Sequence, residues 1–193
     1  MKTTIYLVRH GDVHNPQQIL YERLPGYRLS ELGKKQAHDL GKFLGKKRIA
    51  ALYASPLERT VETAGIVASY LNGLTIVQDD RLIEVSTVAR GRKLVDLAAE
   101  RWDFYRPVYT DQGGETLQDI WKRMQKSIGD IVRKHSGQEV VVVSHGDPIM
   151  ISMIKHKGKR LTVSAIRGEG YVQTAKGFIL VFEESRAIEI KTL

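Results

Sequence analysis

The chain has 193 residues, is 42% hydrophobic and 27% charged, and has a formal net charge of +8. This length and composition are typical of a globular protein with a hydrophobic core. No apolar run is long enough to span a membrane or to form a signal-peptide core. The absence of cysteine excludes disulfides, Cys-ligated zinc and a thiolate nucleophile. We expect one domain over residues 1–193, located in the cytoplasm.

The excess of positive charge fits three kinds of partner: nucleic acid, an acidic membrane surface or an anionic small molecule. Most Lys and Arg residues are spread along the chain, and the two local runs, residues 46–48 and 155–160, lie near predicted helix ends. Cations at such positions complement the carbonyl end of the helix dipole. Because no nucleic-acid motif accompanies these runs, we interpret them as solvated surface and expect neither nucleic acid nor a membrane as partner.

Strand-like and helix-like segments alternate in the first part of the chain. Residues 4–9 form a β-branched apolar strand, and Ser30 begins a helix that reaches about residue 47. A strand over 50–54, a helix over 57–71 and a short strand over 74–77 follow. The first helix carries apolar side chains at core-facing spacing: Leu32, Ala37, Leu40, Phe43 and Leu44.

The alternation resumes after a less regular stretch that contains a short predicted helix over 93–101. An amphipathic helix covers 115–135, and residues 139–144 form an apolar strand suited to the centre of a sheet. Another helix begins at Asp147, and residues 178–182 and 187–190 pair as a hairpin. The order predicts an α/β fold, a three-layer α/β/α sandwich with a mostly parallel central sheet and an antiparallel edge strand.

Two short segments run an apolar strand directly into a His-Gly turn. They are LVRHG, which contains Arg9 and His10, and VVVSHG, which ends at His145 and Gly146. Because an α/β sheet binds ligands at the carboxyl ends of its strands, both imidazoles are expected at one site. A neutral imidazole can attack phosphorus and hold a phosphoryl group, and a neighbouring arginine offers a planar fork for the phosphoryl oxygens.

Two further residues are candidates for the same edge. Arg59 lies in the first turn of the helix that follows the second strand, where a helix N-terminus already favours anions. Glu84 ends a short apolar stretch after the third strand, and a carboxyl that is partly buried there could donate a proton. The remaining histidines His38, His135 and His156 fall on polar faces or helix ends, so we expect them to be exposed to solvent.

These segments together resemble the histidine phosphatase superfamily, the phosphoglycerate mutase-like enzymes. The resemblance rests on six segments in the family's order: VRHG at 8–11, LSELG at 29–33, SPLERTVETA at 55–64, LIE at 82–84, GGET at 113–116 and SHG at 144–146. It implies that His10 becomes phosphorylated and that Glu84 donates the proton. It also implies that Arg9, Arg59 and His145 bind the phosphoryl group, together with Gly146 and, one place earlier than in the family pattern, Asn15.

The resemblance implies a phosphomonoester hydrolase that works through phosphohistidine on a phosphorylated small molecule, with no cofactor and no metal. The family's acid loop usually carries glycine and acidic residues where this chain has Thr87 and Arg90. We therefore expect the cations Arg90, Arg92 and Lys93 to favour substrates with additional negative charge. The long loop before the first helix carries Tyr21, Arg23 and Arg28 and is a candidate cover for the site.

Three other functions compete with this prediction. A cofactor-dependent phosphoglycerate mutase is the alternative within the family, although only residues 85–112 separate the acid from the GGE turn, where such mutases carry a long insert. A metallohydrolase would use His10, Asp12, His14 and His145 as ligands, but Arg9 and Arg59 would repel its cation. A basic module that binds nucleic acid rests on net charge alone.

Overall fold

The structure is a computed structural model that describes residues 1–168 and 170–193. Within these residues the chain forms six strands, followed here in order: Lys2–Arg9 (β1), Ile49–Ala54 (β2), Ile76–Gln78 (β3), Glu139–Ser144 (β4), Gly177–Glu183 (β5) and Arg186–Thr192 (β6). The α-helices of the same part of the chain are Glu31–Leu44 (α1), Glu58–Ala68 (α2), Leu94–Ala99 (α3), Pro107–Thr110 (α4), Leu117–Lys134 (α5), Gly146–His156 (α6) and Val163–Arg167 (α7).

The six strands form one sheet in the order β3-β2-β4-β1-β5-β6. Strands β1 to β4 are mutually parallel, whereas β5 is antiparallel to both of its neighbours, β1 and β6. The prediction of a mostly parallel sheet with an antiparallel edge is confirmed. Strand β4 lies inside the sheet, and its run Val140–Val143 has no exposed surface, as an apolar strand covered on both faces should.

Alternation along β1 divides the core into two layers. Ile5 and Leu7 point into a cluster built with α5 and α6, while Tyr6 and Val8 point into a cluster built with α1 and α2. Successive side chains of a strand face opposite sides of the sheet, so helices must cover both faces. This arrangement confirms the three-layer sandwich.

The boundaries of the elements differ from the predictions by a few residues. Helix α1 begins after Ser30, whose hydroxyl accepts a hydrogen bond from the Gly33 backbone N–H, and it ends three residues earlier than expected. Leu32 and Phe43 are exposed at 56% and 39%, so the core-facing stripe of α1 is narrower than predicted. The prediction did not include the 3-10 helix at Asp80–Leu82, nor α4 and α7, which are too short to show a period.

Of the three histidines expected to be exposed, His38, His135 and His156, only His38 is exposed. The ring of His135 is half-buried and lies 3.0 Å from the Tyr53 hydroxyl through Nε2. His156 is half-buried between the rings of Trp121 and Phe182, each centred 5.2 Å away. Burial lowers the pKa of His156 to about 4. The β5–β6 hairpin brings Phe182 over the end of α6, a contact that local sequence does not encode.

In the part of the chain that the structure describes, no helix has both the length and the apolar character required to cross a bilayer.

Candidate active site

The two His-Gly turns and the start of α2 meet at the carboxyl edge of the parallel strands. His10 directly follows β1, His145 follows β4 and caps α6, and Arg59 is the second residue of α2. All three are at most 1% exposed, and the two imidazole rings have centroids 5.2 Å apart. The sequence-based expectation that these segments form a single site agrees with this geometry.

The hydrogen bonds of His10 define which of its nitrogens is a free base. Nδ1 lies 2.7 Å from the Gly11 carbonyl oxygen, which only accepts, so Nδ1 carries the proton. Nε2 accepts a hydrogen bond from Arg59 Nε at 3.3 Å. Burial holds the pKa of His10 well below its usual range, and the charges of Arg59 and Arg9 lower it further. His10 is therefore a neutral imidazole whose Nε2 lone pair faces a guanidinium.

Arg59 is the organising cation of the site. Its Nη2 donates to the Glu22 carbonyl oxygen at 2.7 Å and lies 3.2 Å from His145 Nδ1. The ring of Tyr21 covers the guanidinium, with the Arg59 Cζ atom 4.9 Å from the ring centroid. A cation over an aromatic face is stabilised electrostatically, so Arg59 stays charged in a buried position beside His10.

Arg9 contributes a second cation with spare donors. Its Nη1 donates to the Val172 carbonyl oxygen at 2.9 Å. Its Nε is buried and has no hydrogen-bond partner among the described residues. A buried donor left unpaired costs about 1–3 kcal/mol, and a bound anion would supply the missing acceptor.

His145 is fixed in the opposite tautomer from His10. Because the Arg59 guanidinium can only donate, Nδ1 of His145 is the acceptor of that contact and Nε2 carries the proton. Nε2 then donates to Ser55 Oγ at 2.7 Å. Burial lowers the pKa of His145 well below its usual range, and the charge of Arg59 adds to the effect.

Glu84 lies beside this group with one carboxylate oxygen, Oε2, 3.9 Å from His145 Nδ1. Its Oε1 accepts from the Val85 backbone N–H at 2.9 Å. Burial raises the pKa of Glu84, and the negative charge of Asp147 raises it further. A carboxyl with a raised pKa can hold a proton near neutral pH and donate it.

Two arginines hold the backbone of Glu84 in place. Arg23 donates to the Glu84 carbonyl oxygen through Nε at 2.9 Å and Nη2 at 2.6 Å, and Arg123 Nη2 donates to the same oxygen at 3.2 Å. Glu115 bridges the two guanidinium groups. On the other side, Ser144 Oγ donates to the Leu82 carbonyl at 2.7 Å, which ties the acid's loop to the end of β4.

Asn15 and Gly146 occupy less direct positions. The amide of Asn15 bonds the backbone of Ile19 twice, donating to its carbonyl at 2.9 Å and accepting from its N–H at 3.3 Å. Gly146 opens α6 next to His145, and an added Cβ there would lie 2.2 Å from the Tyr171 hydroxyl. The structure therefore uses Asn15 to shape its loop and keeps Gly146 free of a side chain.

Arg9 and Glu84 line a cavity of about 420 Å³. Apolar and aromatic side chains form most of its wall: Ile19, Leu20, Tyr21, Val85, Leu94, Trp102, Phe104 and Tyr171. Asp147, which also lines the cavity, accepts from the Tyr105 and Tyr171 hydroxyls at 2.6 and 2.7 Å, and it pairs with Arg167.

The three cations expected to favour extra negative charge are not among the residues lining this cavity. Arg90 lies 3.6 Å from the Glu22 carboxylate, Arg92 pairs with Glu100, and Lys93 donates to the Gln17 carbonyl oxygen at 3.0 Å. Each of these charges already pairs with a neighbouring segment, which gives no support to the expectation that they select a more negatively charged substrate.

The proposed metallohydrolase ligands do not form a metal-binding cluster. Across residues 1–168 and 170–193, no group of three or more His, Asp or Glu side chains is arranged to hold a metal ion. Asp12, one of the suggested ligands, accepts instead from the Ser30 hydroxyl at 2.6 Å.

Sequence reasoning did not assign roles to Ser55, Glu22, Arg167 or the pairing of Arg23 with Glu84. Ser55 could have been found, since it opens the SPLERT segment at the end of β2 and so lies at the same edge as His145. The Asp147–Arg167 pair joins residues twenty positions apart with no shared motif.

The comparisons with known proteins agree with this geometry. The chain is 38% identical over 165 residues to the uncharacterized protein Rv0525 of Mycobacterium tuberculosis, covering 83% of this chain and 81% of that protein. It is 35% identical over 152 residues to phosphoserine phosphatase 1 of Hydrogenobacter thermophilus, covering 75% of this chain and 72% of that one.

Among solved structures, YhfR of Bacillus stearothermophilus superposes with a TM-score of 0.80 at 27% identity, over 96% of this chain and 94% of that one. The profile of the histidine phosphatase superfamily, branch 1, matches residues 5–185. Since this match covers nearly the whole chain, including both His-Gly turns, the chain belongs to the histidine phosphatase superfamily.

Proposed function

We propose that the protein hydrolyses phosphate monoesters through a phosphohistidine formed on His10, without a metal ion. The observation that carries the proposal is the state of His10: a buried, neutral imidazole whose unprotonated Nε2 faces Arg59. In this state the nitrogen is a nucleophile that needs no base to activate it.

The phosphoryl group would dock among Arg9, Arg59 and His145. Its oxygens would accept from the unpaired Nε of Arg9 and would take over the Arg59 donor that now faces His10. Two guanidinium groups would neutralise the charge on the phosphoryl oxygens, which is most of what catalysis of phosphoryl transfer requires. These cations fill the electrostatic role that a metal serves in other phosphatases.

The reaction would proceed in two steps. In the first, the Nε2 lone pair forms a bond to phosphorus as the ester P–O bond breaks, and Glu84 transfers its proton to the departing oxygen. In the second, the Glu84 carboxylate takes a proton from water, whose oxygen attacks phosphorus as the P–N bond breaks. Inorganic phosphate, neutral His10 and protonated Glu84 result, so one carboxyl serves as acid and then as base.

His10→Ala tests the proposal directly. We expect turnover to fall at least about a hundredfold, because the nucleophile is lost, while the circular dichroism spectrum and the melting temperature change little. Wild-type enzyme quenched during turnover of a ³²P-labelled ester should carry acid-labile, base-stable label that the variant lacks. Retained activity in the variant, or a wild-type enzyme that never acquires label, would refute the mechanism.

Product analysis separates hydrolysis from the mutase alternative. A phosphatase releases one inorganic phosphate per ester consumed, whereas a mutase returns an isomerised phosphoglycerate and depends on a bisphosphorylated primer. We expect stoichiometric phosphate with no isomer and no dependence on primer or chelator.

A further inference from the structure

We infer that the cavity beyond the phosphate-binding residues is a leaving-group site for an uncharged, apolar alcohol carrying a single phosphate, with an aromatic ring as the favoured occupant. The inference rests on the proposed hydrolase function and specifies its substrate class. Its basis is the chemistry of the cavity wall, which differs sharply from that of the phosphate end.

The wall is built from apolar side chains of separate segments. Ile19 and Leu20 come from the loop before α1, Leu94 from α3, Trp102 and Phe104 from the segment after α3, and Tyr171 from the loop before β5. Ile19, Leu20, Leu94 and Trp102 are only half-buried, so they present apolar surface that a ligand could still cover. Covering such surface stabilises a complex in proportion to the area removed from water.

The aromatic residues of the cavity wall suit a ring. Trp102 and Phe104 are arranged edge to face, with centroids 6.3 Å apart. A third ring from Tyr171 lines the same cavity. Aromatic pairs gain energy beyond their buried area when they meet offset or edge to face. A volume of about 420 Å³ for the whole cavity is sufficient for a compact aromatic alcohol.

The cations of the wall are not available for a second phosphate. Besides Arg9, the only cation lining the described cavity is Arg167. All three of its guanidinium nitrogens are engaged, with the Asp147 carboxylate and with the Trp102 carbonyl oxygen. A second phosphate or a carboxylate placed there would lose its hydration without gaining a free cation, which is costly.

Carboxylates near the cavity reinforce this selection. Asp147 and Glu22 both line it. Asp147 pairs with Arg167, and Glu22 lies near Arg90, so the charged groups around the cavity leave no excess of positive charge. An acidic substrate would therefore meet a wall that is apolar and electrostatically neutral, whereas a neutral ring would meet favourable contacts on several sides.

The test compares esters with alkyl leaving groups, so that the intrinsic ease of P–O cleavage is similar. We expect kcat/KM for benzyl phosphate to exceed that for 3-phosphoglycerate and for fructose 1,6-bisphosphate by at least about tenfold, the effect of a modest buried apolar area. The value for glycerol 1-phosphate, whose leaving alcohol is uncharged but polar, should fall between them.

Two matched variants on α3 locate the effect. Leu94→Lys places a cation in the cavity wall and should reduce the preference for benzyl phosphate over 3-phosphoglycerate by about tenfold or more. Val95→Lys adds the same charge at the next position, which is 74% exposed and does not line the cavity, and should leave the preference within about twofold of wild type.

The outcomes are distinguishable. If wild-type enzyme hydrolyses the charged esters as efficiently as benzyl phosphate or better, the inference is overturned while the hydrolase function stands. If no ester is hydrolysed and His10 acquires no label, the proposed function itself fails. Because the wild-type ratio decides the question alone, a Leu94→Lys protein that does not fold leaves the inference open to refutation.

Discussion

At the scale of single residues, the hydrogen-bond partners of each histidine decide which of its ring nitrogens is protonated. His10 and His145 contact the same guanidinium, yet His10 is protonated on Nδ1 and His145 on Nε2. The difference arises because the Gly11 carbonyl accepts from one ring and the Ser55 hydroxyl accepts from the other. The two adjacent imidazoles therefore present different nitrogens to the site: His10 offers an unprotonated Nε2 as the nucleophile, and His145 turns an unprotonated Nδ1 toward Arg59.

Arg23 is a positioning residue for the acid, and its effect should depend on the leaving group. Its Nε and Nη2 both donate hydrogen bonds to the Glu84 carbonyl oxygen. In Arg23→Gln we expect kcat/KM for an alkyl phosphate to fall about tenfold or more, because a displaced acid protonates the departing oxygen poorly. 4-Nitrophenyl phosphate should lose little, since nitrophenolate leaves without a proton.

The matched control is Arg28→Gln in the same loop, where the arginine is 67% exposed and pairs with Glu58 and Glu62. It should leave both substrates close to wild type. A purely structural role for Arg23 would lower both substrates equally, and that result would contradict its assignment as a positioning residue.

At the scale of elements, the site depends on the close contact between the loop after β1 and the first turn of α1. An added Cβ on Gly33 would lie 2.0 Å from the Asp12 carbonyl oxygen, and one on Gly11 would lie 2.5 Å from the Gly33 carbonyl oxygen. The two backbones therefore touch only because neither residue has a side chain. This contact holds His10 at the end of its strand.

Gly33→Ala should separate these two backbones. We expect it to lower the free energy of unfolding by about 1–3 kcal/mol, as overpacking of a tight contact does, and to lower activity as His10 shifts. Gly65→Ala in the middle of α2 is the control, because no atom lies within 4 Å of an added Cβ there.

The control should stabilise the protein by about 0.5–1 kcal/mol, because alanine is the better helix former. Chemical denaturation of both variants, read alongside kcat/KM, measures the difference. A Gly33→Ala protein as stable and as active as wild type would show that the two segments can move apart at no cost.

The elements were largely predictable from local pattern, and the exceptions have physical causes. Strand β4 follows from an apolar run, and helix α5 follows from a long 3.6-residue period that begins at a capping box formed by Thr116 and Asp119. Phe43 was misplaced because a helical period places a residue on a face only to within about one position. Helices α4 and α7 span 4 and 5 residues, fewer than two turns, so their sequences carry no detectable period.

At the scale of the whole molecule, burial of histidines makes stability depend on pH. The pKa of His156 falls to about 4 through burial, whereas in the unfolded chain it has the ordinary value near 6.5. Unfolding therefore takes up a proton at this residue between about pH 6.5 and pH 4, so its contribution to stability is complete above pH 6.5 and is lost as pH falls.

His156→Phe should flatten this dependence. We expect the slope of the free energy of unfolding against pH, measured by urea denaturation from pH 7 to pH 5, to decrease by up to about 1.4 kcal/mol per pH unit. His38→Phe, at an exposed position, serves as the control and should leave the slope unchanged. An unchanged slope in His156→Phe would mean that the ring is as well hydrated in the folded protein as in the unfolded chain.

The sequence by itself determined the layered α/β architecture and the family. It also determined that His10, Arg9, Arg59 and His145 would meet at one edge. These follow from local signals, since strand, turn and helix starts are encoded by neighbouring residues and parallel strands bring their carboxyl ends together.

Only the tertiary structure decided which nitrogens are protonated, which arginines hold Glu84 and which charges remain free. In the sequence, Arg90, Arg92 and Lys93 resemble cations that would bind a substrate. In the structure, each forms an ion pair or a hydrogen bond with a neighbouring segment. The apolar cavity wall likewise gathers residues from 19 to 171. Pairing and desolvation depend on distances between residues remote in the chain, and a local pattern contains no record of those distances.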